Sequence, residues 1–548
     1  MITFLIGLVI LIGGGFAYGS LCNKVFGPDD RETPAYAKQD GVDYVPMATW
    51  RNSLINLLNI AGTGPILGPI QGILFGPIAL IAIPIGNIIG GSMHDFFSGM
   101  ICTRDGGTQM PDMVKNYTNK AVFWMYDIFI CILLLLVGAV FIYTPGDIAV
   151  TQIFGWSGAA TDWKTWIVYV VIFVYYLIAT VLPIDKLIGR IYPIFGLILI
   201  FSALGIFVAI FAKGYPLTEI WGSWNTVTTT MEGVDATGAA VTINASGFDY
   251  GTYFSAGHFI PVFFLTVACG ILSGFHSTQT ALISRTMKKE KEGKMTFYNM
   301  MVVEGFIAMC WAAGTMAMIN MGAEAGGISM MGNSYLQLST EAAAVKDGVL
   351  QATFVQSGDL FFHTIGATSV VGVLCKNALG TVGGIIALIG VVILPITSGD
   401  TALRALRLTI ADSFKIKQDS NAKRLGLAGP LFILVILILV WAKFDSNGFN
   451  TLWRYFAWSN QMISLFALAC IAAYLFIHNP KFVWIPLIPA AFYAFCTCAF
   501  IVHNPLQTTG SEAMPWNMAY IIAAVFTVVY IVVVIINGRK KAEKAKAV

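Results

Sequence analysis

An all-α, polytopic membrane protein of about thirteen transmembrane helices is the fold class this sequence predicts, on three observations. The 548 residues are 57% hydrophobic and only 11% charged, with a mean hydropathy of +0.75, whereas soluble domains carry about 25% charged residues. Apolar runs of about 20 residues, the length that crosses a bilayer as a helix, recur along the whole chain. These runs are continuous rather than alternating, which excludes a membrane β-barrel.

The first helix, 2–22, has no basic stretch before it, so it reads as a retained span rather than a cleaved signal peptide, with its N-terminus outside. Apolar blocks at 48–72, 77–102, 121–143, 164–183 and 189–213 supply helices two to six. Blocks at 257–285, 297–320, 379–408, 426–442 and 454–477 supply seven to eleven, and 482–503 and 515–537 complete the set. Threading the chain this way puts 26 of its 32 lysines and arginines on the side of the C-terminus, the bias that marks the cytoplasmic face. The reading is therefore N-out and C-in, and the basic tail KKAEKAKAV meets anionic headgroups. The net charge of +3 by itself selects no partner, and the nine cysteines, with no C-x-x-C pair, predict neither a disulfide framework nor a zinc site. Two outer loops are long. Residues 214–256 are rich in Gly, Thr and Asn; residues 321–362 mix glycines with a helix-like stretch, EAAAVKDGVLQATF, and either cap an outward vestibule or form an ordered surface loop.

Two helices carry breaks. Residues 59–69, NIAGTGPILGP, place Gly62, Thr63, Gly64 and Pro65 inside the second span, where proline disfavours helix by roughly 3 kcal/mol and glycine by about 1. The seventh, CGILSGFHSTQTALISR at 269–285, holds Gly274, His276, Gln279 and Thr280, the last three within reach of one face. Interrupted helices five positions apart mark the substrate site of inverted-repeat transporters, and a five-helix repeat necessarily returns inverted. The chain then divides into 1–47 (first helix and linker), 48–213 (first repeat), 214–256 (outer loop), 257–477 (second repeat, including loop 321–362) and 478–548 (two further helices and the tail).

Three more polar clusters lie within apolar spans. On helix three, Asn87, Gly91, His94 and Asp95 form one stripe; an aspartate inside the bilayer costs about 2.5–3.5 kcal/mol and is a functional candidate by default. The competing reading pairs Asp95 with Arg104 or makes it a cap. On helix nine, Thr397, Ser398, Asp400 and Thr401 precede Arg404 and Arg407. They offer either a structural Asp400–Arg404 ion pair or hard oxygen ligands for a cation or proton. On helix eleven, Trp453, Tyr455 and Trp458 read as an interfacial belt, and Asn460 and Gln461 either join helices or line a cavity. A Walker loop, H-E-x-x-H, G-x-S-x-G and the repeated potassium-filter motif are all absent from the sequence. The reading is accordingly a non-enzyme with no cofactor and no nucleic-acid partner.

Together TPAYAKQDGVDYVP (33–46), IAGTGPILGP (60–69), MHDF (93–96), TRDGGTQM (103–110), GFHSTQTALISR (274–285), DTALRALRL (400–408) and LWRYFAWSNQM (452–462) resemble the carbon-starvation protein A (CstA) family of bacterial inner-membrane transporters. That family is similar to the amino-acid/polyamine/cation transporter superfamily. The resemblance implies a LeuT-like five-plus-five core and import of peptides or pyruvate in carbon starvation. It further implies coupling to protons, with sodium the other cation. Asp95, His276, Gln279, Asp400, Arg404 and Asn460 fall on positions that look like the family pattern. Ile55 and Asn56 stand where the family carries a histidine pair. On this reading Gly62, Thr63, Gly64, Pro65, Gly274, His276, Gln279 and Thr280 contact substrate. His94, Asp95, Thr397, Ser398, Asp400 and Thr401 serve the coupling ion, while Arg404, Arg407, Asn460 and Gln461 are structural or gating. A transporter-fold nutrient sensor and an uncoupled facilitator are the alternatives.

Overall fold

The computed structural model describes residues 1–41, 44–181, 184–346, 348–418, 420–445, 447–503 and 513–547, and for residue 181 and 184–193 the backbone alone. The end of the fifth expected helix, 182–183, lies outside the described residues. In chain order the helices are α1 (Ile2–Phe26), the bent pair α2 (Thr49–Ile60) and α3 (Gly64–Phe75), α4 (Ala79–Arg104), α5 (Lys120–Ile153), α6 (Trp163–Thr180) and α7 (Ile194–Ala212). Three short helices follow: α8 (Phe259–Thr266), α9 (Ala268–Ile271) and α10 (His276–Ser284). Then come α11 (Glu290–Met321), α12 (Ala367–Ser413), α13 (Asn421–Phe444), α14 (Gly448–His478), α15 (Pro480–His503) and α16 (Trp516–Lys546).

Among the described residues eleven of these are long and apolar enough to cross a membrane, and the bent pair makes a twelfth span. The expected count of about thirteen differs at 257–285, where no single helix forms. There Leu272 is extended (φ −150°, ψ 123°) between α9 and the turn that starts α10. The ninth expected helix also changes. It is the second part of α12, whose backbone breaks at Gly380 (φ 70°, ψ −177°), a conformation open to glycine and strained for other residues. Burial separates centre from rim: 83% of the apolar window of α11 and 78% of that of α14 are buried, against 17% for α16 and 28% for α13.

The all-α expectation fails outside the bilayer. The two long outer loops build one closed six-stranded barrel in the order β1-β2-β3-β4-β8-β7. Strands β1 (Thr229–Asp235) and β2 (Ala240–Ser246) come from the first loop. The second supplies β3 (Ser329–Met331), β4 (Ser334–Ser339), β7 (Phe354–Ser357) and β8 (Leu360–Ile365), with a side hairpin of β5 (Val345–Lys346) and β6 (Val349–Leu350). A small apolar core of Ile243, Ala323, Leu336, Val355 and Phe362 holds the barrel together. Of the helix-like stretch 341–354 only Glu341–Ala344 is helical. Four residues are too few to sustain a helix against cooperative strand pairing, and Gly348 (φ 76°) adopts the left-handed conformation suited to a hairpin turn.

Candidate functional site

The second span bends by 50° between α2 and α3. At the bend Gly62 N donates to Ile60 O (2.9 Å), and Ile66 N and Leu67 N both donate to Thr63 O. Pro65, in the first turn of α3, has no N–H to lose. Asn59 is fully buried, and neither end of its amide has a hydrogen-bond partner among the described residues; the Thr63 hydroxyl is likewise buried and unpaired. A side chain on Gly64 would lie 2.1 Å from Cys269 Cβ, one on Gly68 would lie 2.8 Å from Thr266 O, and one on Gly72 would lie 2.3 Å from Val267. These three glycines, four residues apart, let α3 press directly on α8 and α9, so the two broken spans touch. Gly62 backs onto Phe141 of α5, whose ring lies 6.3 Å from that of Phe275.

The break of the seventh span is held by Asn460 of α14. Its Oδ1 accepts from Phe275 N (2.8 Å) and Ser273 Oγ (3.0 Å), its backbone carbonyl accepts from Gly274 N (3.0 Å), and its Nδ2 donates to Cys269 Sγ (3.2 Å). The amides around Gly274 are therefore already engaged. Gln461 Nε2 donates to Phe264 O, tying the same helix to α8. Gln279 Nε2 donates to Thr278 Oγ1 and Thr280 Oγ1 to Ser277 O.

Beside this break lies a buried cluster of acids and histidines. Asp95 of α4 meets His276 Nδ1 through Oδ2 (2.8 Å) and His94 Nδ1 through Oδ1 (2.9 Å). Its partners are thus histidines; Arg104, the alternative expected from sequence, pairs instead with Glu290. His276 Nε2 faces Glu304 Oε2 of α11 at 3.7 Å. All four side chains are 2% exposed or less. Asn87 fixes the neighbouring backbones, donating to Gly270 O (3.1 Å) and Met301 O (2.9 Å) while accepting from Ser92 Oγ. Glu304 is absent from the polar clusters read in the sequence. It is a lone acid in MVVEGFIAM, and its one signal is an ionisable residue inside a span.

On α12, Ser398 Oγ donates to Leu58 O (2.9 Å), linking this helix to α2 just before its break. Asp400 and Arg404 form the expected i, i+4 pair at 3.7 Å, and Arg404 Nη2 donates to Ala179 O of α6. Thr397 Oγ1 and Thr401 Oγ1 bond back to Leu394 O and Ser398 O. Arg407 Nη1 binds Gln418 Oε1 (2.6 Å), beyond the end of α12. At the position of the family's histidine pair, Ile55 is buried and Asn56 Nδ2 donates to Thr296 O (2.7 Å).

Above the breaks opens a cavity of about 650 Å³, lined among others by Gln71, Tyr335, Trp453, Arg454 and His503. The barrel borders it, and Tyr335 OH donates to Ile70 O (2.9 Å). Trp453, expected at the lipid interface, is instead buried against Phe456 at this cavity. Lys443 of α13 pairs with Asp147 of α5 (2.8 Å), which also accepts from Thr368 Oγ1. At the opposite end Arg104 grips Glu290 with two nitrogens (3.0 and 3.1 Å), and Arg31 approaches the same carboxylate at 3.5 Å.

Two broken spans packed against each other beside buried acids and histidines, below a cavity bordered by the barrel, define a multi-pass membrane protein of the transporter kind. The fold agrees. A manganese transporter of Eremococcus coleocola superposes with TM-score 0.52 at 12% identity, covering 92% of this chain and 99% of that one. MhsT, solved in complex with L-phenylalanine, superposes with TM-score 0.51 at 10% identity over 90% and 99%. The profile of the family described as carbon starvation protein CstA matches residues 1–178 and 148–500, and the chain belongs to that family. An uncharacterized membrane protein of Haemophilus influenzae is 39% identical over 339 residues, 57% of this chain and 89% of that protein. The peptide transporter CstA of Escherichia coli is 23% identical (85% of this chain, 75% of that protein). The pyruvate/proton symporter BtsT of the same organism is 24% identical (85% and 76%).

Proposed function

We propose that this protein is a secondary active importer of small carboxylated nutrients, peptides or pyruvate, drawn in by the proton gradient during carbon starvation. The supporting observation is the meeting of the two breaks, with the buried, unpaired Asn59 and Thr63 on one side and His276 on the other. The first turn of α3 offers the positive end of a helix to a carboxylate, and Asn59 and Thr63 add polar contacts there. Residues 48–213 and 257–477 act as inverted repeats that rock around this point, flanked by 1–47 and 478–548, with the N-terminus outside and the C-terminus inside. Asp95 and His94 belong to the buried cluster that handles the coupling proton, and Thr397, Ser398, Asp400 and Thr401 are the second candidate site for a coupling cation. A peptide-named and a pyruvate-named relative, at 23% and 24% identity, each cover 85% of this chain, so both substrates belong in one assay.

Proteoliposomes carrying the protein are given labelled pyruvate or a labelled dipeptide with an inward proton gradient, a sodium gradient or none. Uphill accumulation of at least one substrate under the proton gradient is expected, abolished by a protonophore. Accumulation with sodium alone overturns proton coupling. Equilibration without accumulation identifies a facilitator, and binding without flux a sensor. His276→Ala, which removes a buried contact of the site, is expected to lower uptake about tenfold or more, the equivalent of roughly 1.4 kcal/mol; unchanged uptake in a well-folded variant removes His276 from the site.

A further inference from the structure

We propose that Glu304 is the proton-carrying carboxyl of this transporter, sharing one proton with His276 Nε2 while Asp95 stays ionised between two histidines. The inference rests on the importer reading above and names the group that the coupling proton occupies. An ionised carboxylate only accepts hydrogen bonds. Because Asp95 meets the Nδ1 of both His94 and His276, each imidazole must hold its proton on Nδ1. With His276 neutral, its Nε2 lone pair faces Glu304, which is then the donor; with His276 protonated, the same proton sits on Nε2, with Ile60 O as a further acceptor. The 3.7 Å separation is about half an ångström beyond hydrogen-bond range, a gap that a small movement of α10 against α11 closes.

The surroundings of Glu304 favour a bound proton. It is completely buried, and neither carboxyl oxygen has a hydrogen-bond partner among the described residues. The titratable groups facing it are His276 and, behind it, Asp95 and His94 of α4, together with the Cys269 thiol of α9. Among the described residues no lysine or arginine pairs with it. A second unpaired anion beside Asp95 is costly at such a place.

The proton has a defined route. The Glu304 O–H bond breaks as His276 Nε2–H forms, giving a carboxylate and an imidazolium whose Nδ1–H remains on Asp95. The charge of the cluster is unchanged by this shift. Loss of the proton to water instead leaves the cluster with one further negative charge. Cys269, which faces Glu304, also contacts Gly64 at the start of α3. A carboxylate substrate there is repelled by the deprotonated cluster and tolerated by the protonated one. Proton and anionic substrate therefore favour each other's binding, and a site loaded with both can close, which is the requirement for symport.

The test compares wild type, Glu304→Gln and Glu304→Asp in proteoliposomes, with infrared spectroscopy on the same preparations. Glu304→Gln is expected to lose gradient-driven accumulation at least about tenfold, while exchange of labelled for unlabelled substrate falls less than about threefold. Glu304→Asp is expected to recover part of the accumulation with a shifted pH profile. The wild-type infrared spectrum should show a protonated carboxylic acid at neutral pH that disappears in Glu304→Gln. Wild-type accumulation by Glu304→Gln overturns the proposal, and so does an acid band that survives the substitution. If the wild-type protein carries neither pyruvate nor dipeptide, the importer reading fails, and the infrared arm still decides where the proton sits.

Discussion

Gly64 shows why a side chain there is excluded and what the glycine-proline run does. Its would-be Cβ falls 2.1 Å from Cys269 Cβ and 2.2 Å from Cys269 Sγ, a contact between two backbone-anchored atoms that no rotamer change relieves. Gly64→Ala is expected to destabilise the protein by about 1–3 kcal/mol through overpacking, read as a lower Tm in detergent. Adding Cys269→Gly removes the opposing Cβ and should restore a large part of the loss; a double variant no more stable than Gly64→Ala rejects this contact as the cause. The run NIAGTGPILGP was legible as a break in the second span. In the structure Gly64 and Gly68 of the run, with Gly72 beyond it, pack against the neighbouring span, while Asn59 and Thr63 carry the unpaired polar atoms on which the proposed site rests. Asp95 and His94 stood out because a stripe of polar residues repeats with the helix. Glu304 has no such neighbours, since its partners come from two other helices.

Between elements, the N-terminal end of α1 is closed by Glu219, from the loop after α7. One carboxylate accepts from the terminal amine, from Ile2 N (2.8 Å) and from Thr3 N and Oγ1 (2.7 and 2.6 Å). Partial burial works against its charge, yet the hydrogen bonds from the terminal amine, Thr3 and Ile2 hold its pKa down at about 2. A carboxyl whose folded value lies below its unfolded value of about 4.3 stabilises the fold fully above that value. The contribution is lost as the pH falls from there through about 2. The Tm gap between wild type and Glu219→Gln, measured in detergent, is expected to be constant between about pH 5 and 7 and to shrink as the pH is lowered from there. A gap independent of pH would show that the charge does not matter. This cap joins residues more than two hundred positions apart, which no local pattern announces. The same holds for the barrel, whose strands come from two loops separated by α8 to α11. Its strands are three to seven residues long and separated by turns at Gly238, Gly332 and Gly358, so each loop alone carried no clear alternation, and the alanines of 342–344 pointed to a helix.

Across the whole molecule the two ends of the candidate pathway differ. The end under the barrel opens into the 650 Å³ cavity, with the Lys443–Asp147 pair at 2.8 Å holding α13 to α5. The opposite end is latched: Glu290, fully buried, receives Arg104 and Arg31, and Arg104 also reaches Tyr474 OH (2.6 Å) on α14 and Gly27 O (2.8 Å) after α1. This latch gathers α1, α4, α11 and α14, so the alternating access proposed above requires it to come apart. Breaking a buried ion pair by removing one partner costs about 3–5 kcal/mol in the state that contains it. Glu290→Gln is therefore expected to shift the protein toward an inward-open state. A native reporter sits two residues before Arg104: Cys102 on α4 is fully buried, its thiol on Thr108 O at 3.0 Å. Its reaction with a maleimide in detergent should quicken at least about tenfold in Glu290→Gln, since 1.4 kcal/mol of population shift already gives that factor. Excess wild-type substrate should slow the labelling if it draws the variant back to the occluded state. A Cys102 rate equal to that of wild type, with the variant folded and its Tm lowered, would mean that Glu290 stabilises the structure without gating it.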